Sequence, residues 1–261
     1  MHWILQENMF NEKAYDTLIE TLERSDIEHS LHKVVPFVGE LMPEPTLRSK
    51  NAICFGSYSM RHYAKKHELT PGVFDLEKFD FTVQLEKWGS EMLNSDSHIV
   101  KFKDASFSDI AFLRPIQDSK IFAGRVFDEH EFKNWQRKVC QLREDHGDSL
   151  TPESLIQISS CKKICSEHRF WIVKKNIVSA STYKIGNRVQ YLPCIDEQIH
   201  EYVKQQISIW QPDEAFVIDV ANTEDGFKIV EINTLNSAGF YACDIQKLVF
   251  ALEDEFSKEF L

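Results

Sequence analysis

The segment EAFVIDVANTEDGFKIVEIN (214–233) constrains this chain more than any other. Two apolar runs flank the turn-forming stretch TEDGF, so the segment reads as a β-hairpin. A three-residue loop, Glu224-Asp225-Gly226, puts glycine where the backbone wants positive φ. Counting outward, Thr223 faces Phe227, Val220 faces Val230, Asp219 faces Glu231 and Val217 faces Asn233. Strand side chains alternate faces. One face then carries Phe216, Ile218, Val220, Val230 and Ile232, all apolar, and the other carries Asp219, Glu231 and Asn233. A two-residue loop, Asp225-Gly226, would pair Asp219 with Ile232 and split the apolar set across both faces, so the longer loop is the consistent register. Two carboxylates directly opposite each other repel. Either solvent screens them or a cation sits between them. Two carboxylates and an amide oxygen are hard ligands suited to Mg²⁺, especially with nucleotide phosphates completing its shell. On spacing alone, a cation site and a solvated strand face are equally well supported.

Two other segments carry convergent charge. HRFWIVKKNIVSASTYK (168–184) reads as a hairpin with Lys174, Lys175 and Asn176 at its tip and Val173 opposite Ile177. Glu167, Arg169, Trp171 and Val173 then share a face with Ser179, Ser181 and Tyr183, and Arg169 lies opposite Ser181. An arginine beside a hydroxyl is a phosphate or carboxylate clamp; an Arg169–Glu167 salt bridge is the plainer reading. In FLRPIQDSKIFAG (112–124), Arg114 ends a strand at Pro115, Lys120 follows, and Ala123-Gly124 allows a tight backbone. Two cations beside such a turn can grip a polyphosphate, although cations at strand ends are common on any surface.

Along the chain, strand-like HWILQ (2–6), an amphipathic helix (12–25), an extended stretch (33–37) and a strand–glycine turn–helix unit (51–69) predict a small α/β unit, with TPGVF (70–74) stopping its last helix. Two strand-like runs over 107–127 precede a helix at 129–142 capped by Asp128. A strand at 154–159, the two hairpins, and helices at 196–210 and 244–260 complete an α+β pattern. The boundary is expected within Ser95–Asp104, giving an α/β domain over 1–100 and an α+β domain over 101–261.

The net charge is −11, which disfavours a broad nucleic-acid surface. No apolar run reaches the length of a membrane span, and the N-terminus lacks the pattern of a signal peptide. The six cysteines are sparse, which predicts reduced thiols in a cytoplasm. Cys161, Cys165 and His168 lack a clear fourth ligand nearby, so they read as structural rather than as a zinc site.

Taken in order, these segments resemble the ATP-grasp superfamily, and the longer match looks like its bacterial and phage clade with a two-arginine, one-lysine signature. Arg114, Lys120 and Arg169 fit the signature places. CFGSYSM (54–60) and TPGVFDLEKFD (70–80) look like the clade's pre-ATP-grasp domain. The resemblance implies an α+β fold of two subdomains gripping ATP, with Mg²⁺ on Asp219, Glu231 and Asn233. It further implies that Arg114, Lys120, Glu167 and Arg169 meet the nucleotide, with Lys120 and Arg169 catalytic. The backbone of Gln157, Ile158 and Ser159 would be the adenine hinge. The implied activity is an ADP-forming ligase working through an acylphosphate on a small-molecule, peptide or protein acceptor. A non-catalytic ATP-binding assembly factor is the alternative, and a kinase-like phosphotransferase a third reading. Ser57 and Arg61, at a glycine turn opening a helix, and Ser181, Ser237 and Gly239 are candidates for acceptor contact; an ordinary structural turn explains the first pair and the stretch after Asn233 as well. IFAGRVF (121–127) is short for a glycine-rich nucleotide lid.

Overall fold

The computed structural model describes residues 1–7, 13–36, 38–116, 122–141 and 150–257. The chain opens with β1 (His2–Gln6), α1 (Lys13–Arg24), β2 (His29–Val34), β3 (Leu41–Met42), β4 (Asn51–Phe55), α2 (Met60–Lys66) and β5 (Thr70–Gly72). These strands make one sheet in the order β3-β2-β1-β4-β5, parallel except for β3. Trp3, Ile4 and Leu5 are all fully buried, as befits a central parallel strand covered on both faces. Helix α1 turns Tyr15, Leu18 and Leu22 inward, the i, i+3, i+7 spacing of an amphipathic helix. It covers the sheet face bearing Trp3, Leu5, Ile53 and Phe55. Helix α2 covers the other face, packing Met60, Tyr63 and Ala64 on Ile4, Ala52 and Cys54.

Two expectations change here. The extended stretch at 33–37 is β2 shifted earlier, ending at Val34, and residue 37 lies outside the described residues. Thr70–Gly72 does more than stop a helix: it adds a parallel strand beside β4. Proline is tolerated there because the strand is at the sheet's edge.

The middle of the chain holds α3 (Phe81–Trp88), β6 (His98–Lys101), β7 (Ile110–Pro115), β8 (Arg125–Asp128), α4 (Glu129–Gln141) and β9 (Leu155–Ser159). Helix α3 and strand β6 have weak sequence signals. The first is two turns long and depends on its Asp80 cap, which accepts from the Val83 N–H at 3.1 Å. The second is a mostly exposed edge strand with little apolar alternation. The four strands form an antiparallel sheet, β6-β9-β7-β8. Its inner face, Leu113, Phe127, Ile156 and Ile158, packs on Phe132 and Val139 of α4. Asp128 caps α4 as expected, accepting from the Glu131 N–H at 2.8 Å.

The last part contains β10 (Ile164–Val173), β11 (Asn176–Ile185), β12 (Arg188–Pro193), α5 (Glu197–Ile209), β13 (Ala215–Thr223), β14 (Gly226–Asn233) and α6 (Ile245–Phe256). The sheet is antiparallel in the order β12-β11-β10-β13-β14. Both hairpin tips are tighter than expected. Val173 pairs with Asn176, with Lys174 and Lys175 at φ 46° and 72°; positive φ at both turn residues matches the twist of the strands. Thr223 pairs with Gly226 rather than Phe227.

In each hairpin a bulge then takes up the missing residue. Beyond the bulges, Arg169 faces Ser181, Asp219 faces Glu231 and Val217 faces Asn233, the register expected from the sequence. The second bulge has a consequence: Ile229, not Val230, pairs with Val220 and enters the core. Val230 turns toward the cleft described below.

This five-stranded sheet organises the molecule. Trp171, Val173, Ala215 and Val217 on one face share a core with α1, α6 and the N-terminal sheet. Phe170, Ile172, Phe216 and Ile218 on the other pack against α5 and α3. Among the described residues, no helix is long and apolar enough to cross a membrane. The shared core generates a prediction. Leu22→Ala should cost about 2–5 kcal/mol, read as a lower urea midpoint. It should also lower hydrogen-exchange protection in β13, whose buried residues sit in the same core; unchanged protection there would contradict the shared core.

Candidate active site

The polar end of the five-stranded sheet faces the four-stranded sheet across a cleft of about 730 Å³. That is the size of an ordinary small-ligand pocket. Strand β10 supplies Glu167 and Arg169, β13 supplies Asp219, and β14 supplies Glu231 and Asn233. All stand on the face whose other end is the apolar core, so strand alternation alone aligns them.

Arg169 and Asp219 are at the centre and are 7% and 2% exposed. Arg169 donates from Nε to Asp219 Oδ1 at 2.8 Å and from Nη2 to Oδ2 at 2.7 Å. Its Nη1 donates to the Gly239 carbonyl at 3.1 Å, and its guanidinium lies 4.6 Å from the centre of the Tyr241 ring. Burial pushes the Asp219 carboxyl above the usual carboxylate range; Arg169 opposes this, while Glu231 and Glu167 add to it. The guanidinium pKa rises because Asp219 outweighs the cost of burying it. The bidentate geometry keeps both groups charged. Arg169 thus pairs with Asp219, not with Glu167.

Around this pair the remaining charges are also matched. Glu167 accepts from the Tyr183 hydroxyl at 2.9 Å and from Lys184 Nζ at 2.5 Å. Burial, with Asp219 and Glu167 nearby, pushes the Tyr183 phenol up, so it stays a neutral donor. Arg114 reaches across from β7, with Nη2 2.8 Å from Glu231 Oε2. This ion pair links the two sheets.

Asn233 Nδ2 lies 3.3 Å from Asp219 Oδ2 and 3.2 Å from Glu231 Oε1. One point is therefore within hydrogen-bond reach of both carboxylates, and turning the amide over brings its oxygen to that point. Three hard oxygens then converge, a donor set that fits Mg²⁺. Among the described residues, no group of three His, Cys, Asp or Glu side chains is placed to hold a metal, so the amide is essential to this fit.

Several expected residues fall elsewhere. Gln157, Ile158 and Ser159 are buried in β9. Gln157 and Ile158 are paired on both sides, with β6 and with β7, and Ser159 pairs with Phe112. The sheet takes up the backbone of Gln157 and Ile158 on both sides and that of Ser159 on the β7 side. The connector that follows lines the cleft instead, through Cys161 and Lys162.

Ser181 is fully buried. Its Oγ accepts from the Ala242 N–H at 3.2 Å and bonds the Leu192 carbonyl at 3.3 Å, so it anchors the loop after β14 rather than meeting a ligand. Gly239 reaches the site through its carbonyl. Ser237 sits half-buried in a 3-10 turn over Leu235–Ser237. Ser57 and Arg61 line a separate cavity on the N-terminal sheet. Lys120 lies outside the described residues.

The sequence reading did not assign a role to Tyr183, Lys184, Lys162, Asn236 or Tyr241. Alternation places Tyr183 on the correct face and is the signal that marks it. Asn236 and Tyr241 sit in a loop with no period to read. Asn236 accepts from the Phe74 N–H at 2.9 Å and donates to the Cys54 carbonyl at 2.7 Å, tying that loop to the N-terminal sheet.

Phe122–Val126 also lines the cleft. A Cβ on Gly124 would come within 2.8 Å of the Phe112 ring and 3.0 Å of Arg114 Cβ, so glycine lets this segment pass over Arg114 without displacing either side chain. The buried ion pair yields a prediction. Arg169→Ala leaves Asp219 unpaired and should cost about 3–5 kcal/mol by urea denaturation. Adding Asp219→Asn should recover part of that loss; a purely additive double variant would contradict the coupling.

No curated protein matches the sequence. Among solved structures, a RimK domain protein ATP-grasp from Sphaerobacter thermophilus is similar at TM-score 0.65 and 11% identity, covering 99% of this chain and 100% of that one. The ATP-grasp ligase PsnB, complexed with minimal precursor, Mg and ADP, is similar at 0.58 and 10%, covering 98% of each chain. D-alanine–D-alanine ligase from Bacillus anthracis is similar at 0.58 and 12%, covering 98% and 93%. At such identities the likeness is one of fold. The family model for the ATP-grasp domain of the two-arginine, one-lysine clade, family 3, matches residues 15–252. The chain belongs to this ATP-grasp family.

Proposed function

We propose that this chain is an ATP-dependent, ADP-forming ligase that joins a carboxylate to an amine or other nucleophile through an acylphosphate. One observation carries the reading: Glu167 and Glu231 on one sheet line a ligand-sized cleft with Arg114 of the other, and Asn233 joins Glu231 to the buried Asp219–Arg169 pair. Phosphoryl transfer needs positioning and charge neutralisation more than covalent chemistry, and this constellation supplies both. Residues 1–100 are proposed as a pre-ATP-grasp domain and 101–261 as the ATP-grasp domain.

The matched ion pairs suggest how the site receives its ligand. Glu231 and Asp219 are neutralised by Arg114 and Arg169. An Mg²⁺–nucleotide carries both signs, so it can replace each half of the more open Arg114–Glu231 pair while Arg169 stays on Asp219. Arg114 is proposed to leave Glu231 for the phosphates. Asp219, Glu231 and Asn233 would hold the Mg²⁺, whose charge offsets that of the phosphates. Arg169, held at Gly239 and against Tyr241, is proposed to orient the transferred phosphoryl group; Lys120 is proposed to assist on the phosphate side.

The connector around Cys161 and Lys162 takes over the proposed hinge role from 157–159. The acceptor is a small molecule, a peptide or a protein; the similar structures include one complexed with a precursor peptide and a D-alanine–D-alanine ligase. The free cysteines suit a reducing cytoplasm, where we place the reaction.

Asp219→Asn and Glu231→Gln should each weaken Mg²⁺-dependent nucleotide binding at least tenfold by calorimetry. Unchanged affinity with Mg²⁺ in both would sink the metal assignment. Arg169→Lys keeps the charge but loses the bidentate fork. It should cost more in ADP production, measured over a panel of carboxylates and amines, than in ATP affinity.

A further inference from the structure

A cavity of about 470 Å³ lies on the N-terminal sheet and shares none of its described lining residues with the cleft. Its lining includes Gln6, Ser57, Ser59, Arg61 and His62, with Val34 and Pro36 as an apolar wall. Its position follows from topology. From β1 the chain crosses over α1 to β2 on one side; from β4 it crosses over α2 to β5 on the other. The two helices cover opposite faces. Such a reversal leaves a crevice beyond the carboxyl ends of the two central strands, where open α/β sheets bind ligands. Gln6 ends β1, and Ser57 is the second residue after the end of β4.

The crevice is built, not merely left over. A Cβ on Gly56 would lie 2.6 Å from Gln6 Cβ, so glycine lets the turn after β4 close against β1. The Ser57 N–H donates to Gln6 Oε1 at 2.7 Å, which leaves the Gln6 amide NH₂ as a donor. The Ser57 and Ser59 hydroxyls lie 2.9 Å apart. Arg61 is held over the Tyr58 ring at 4.1 Å. It donates to the Tyr58 carbonyl and to Glu77, using two of its five N–H groups. Among the described lining residues there is a guanidinium and an imidazole but no carboxylate, in a chain of net charge −11. Arg61 is the charged group among these described lining residues, and its N–H groups not taken by Tyr58 and Glu77 suit an oxyanion.

The pocket is also wired to the cleft. The Gly56 N–H donates to the Asn236 carbonyl at 3.0 Å, and the same loop places the Gly239 carbonyl on Arg169. We propose that this pocket binds a compact oxyanion-bearing small molecule, a carboxylate or phosphate on a polar body, as the second substrate of the ligase. The word substrate rests on the ligase reading; the anion site itself does not.

The test is calorimetric titration of the full chain with inorganic phosphate and, separately, with malonate. Both are run with the nucleotide site filled by Mg²⁺ and a non-hydrolysable ATP analogue. At least one probe should bind saturably. Arg61→Gln should weaken that binding at least tenfold and Ser57→Ala severalfold, while Glu77→Gln, whose carboxylate competes for Arg61, should not weaken it. The stronger probe tells a phosphate-bearing from a carboxylate-bearing ligand. The proposal is overturned if neither probe binds, or if binding survives both Arg61→Gln and Ser57→Ala. Failure of the ATP analogue to bind overturns the ligase reading alone, since the same variants still report on the pocket in nucleotide-free protein.

Discussion

The buried pair of Arg169 and Asp219 is the contact on which the polar half of the structure depends. An isolated charge in so dry a place would be far too costly, and two charges persist there only because two parallel hydrogen bonds match them. The pair sits where the central sheet changes character. On one side of it, Trp171 and Val217 join the apolar core; on the other, Glu167, Tyr183 and Glu231 line the cleft. Arg169 also fixes the loop after β14 through Gly239 and stands against Tyr241. Tyr241 stacks in turn with Tyr183 and Tyr191. The site is therefore rigid where charge is buried. It is more open at Arg114 and Glu231, whose side chains are 18% and 29% exposed.

That gradient has a functional logic. The Arg114–Glu231 contact crosses between two sheets with separate cores, so exchanging it for a ligand need not disturb either core. Exchanging the Arg169–Asp219 contact would. Beside Asn233, Glu231 is the accessible carboxylate and Asp219 the buried one.

Much of this was legible in the sequence. Period-two alternation in 214–233 and 168–184 marks Asp219, Glu231, Asn233 and Arg169 as sharing a face, because a strand cannot hide which side a residue takes. The strand–turn–helix unit at 51–69 is equally plain. What failed was local. Both tips closed one residue short, and bulges restored the register where the polar residues lie. Tip geometry is set by turn energetics, whereas register further along is set by burying Ile218 and Ile232 together. Helix α3 escaped notice because a two-turn helix carries too little periodicity to stand out.

Other features were decided only in three dimensions. No spacing shows that β9 lies between β6 and β7, and that placement removes the backbone of 157–159 from the cleft. Nor does the sequence reveal that Ser181 spends its hydroxyl on Ala242, or that Asn236 ties the loop after β14 to the N-terminal sheet. These are contacts between residues far apart in the chain, made when separate elements pack. By itself the sequence determined which residues stand together on one strand face, since the pleat of a strand is a local property of its backbone. The tertiary structure alone decided which sheet those residues would face, which cations would meet them, and where a second pocket would open. Those outcomes depend on how independent apolar surfaces find one another.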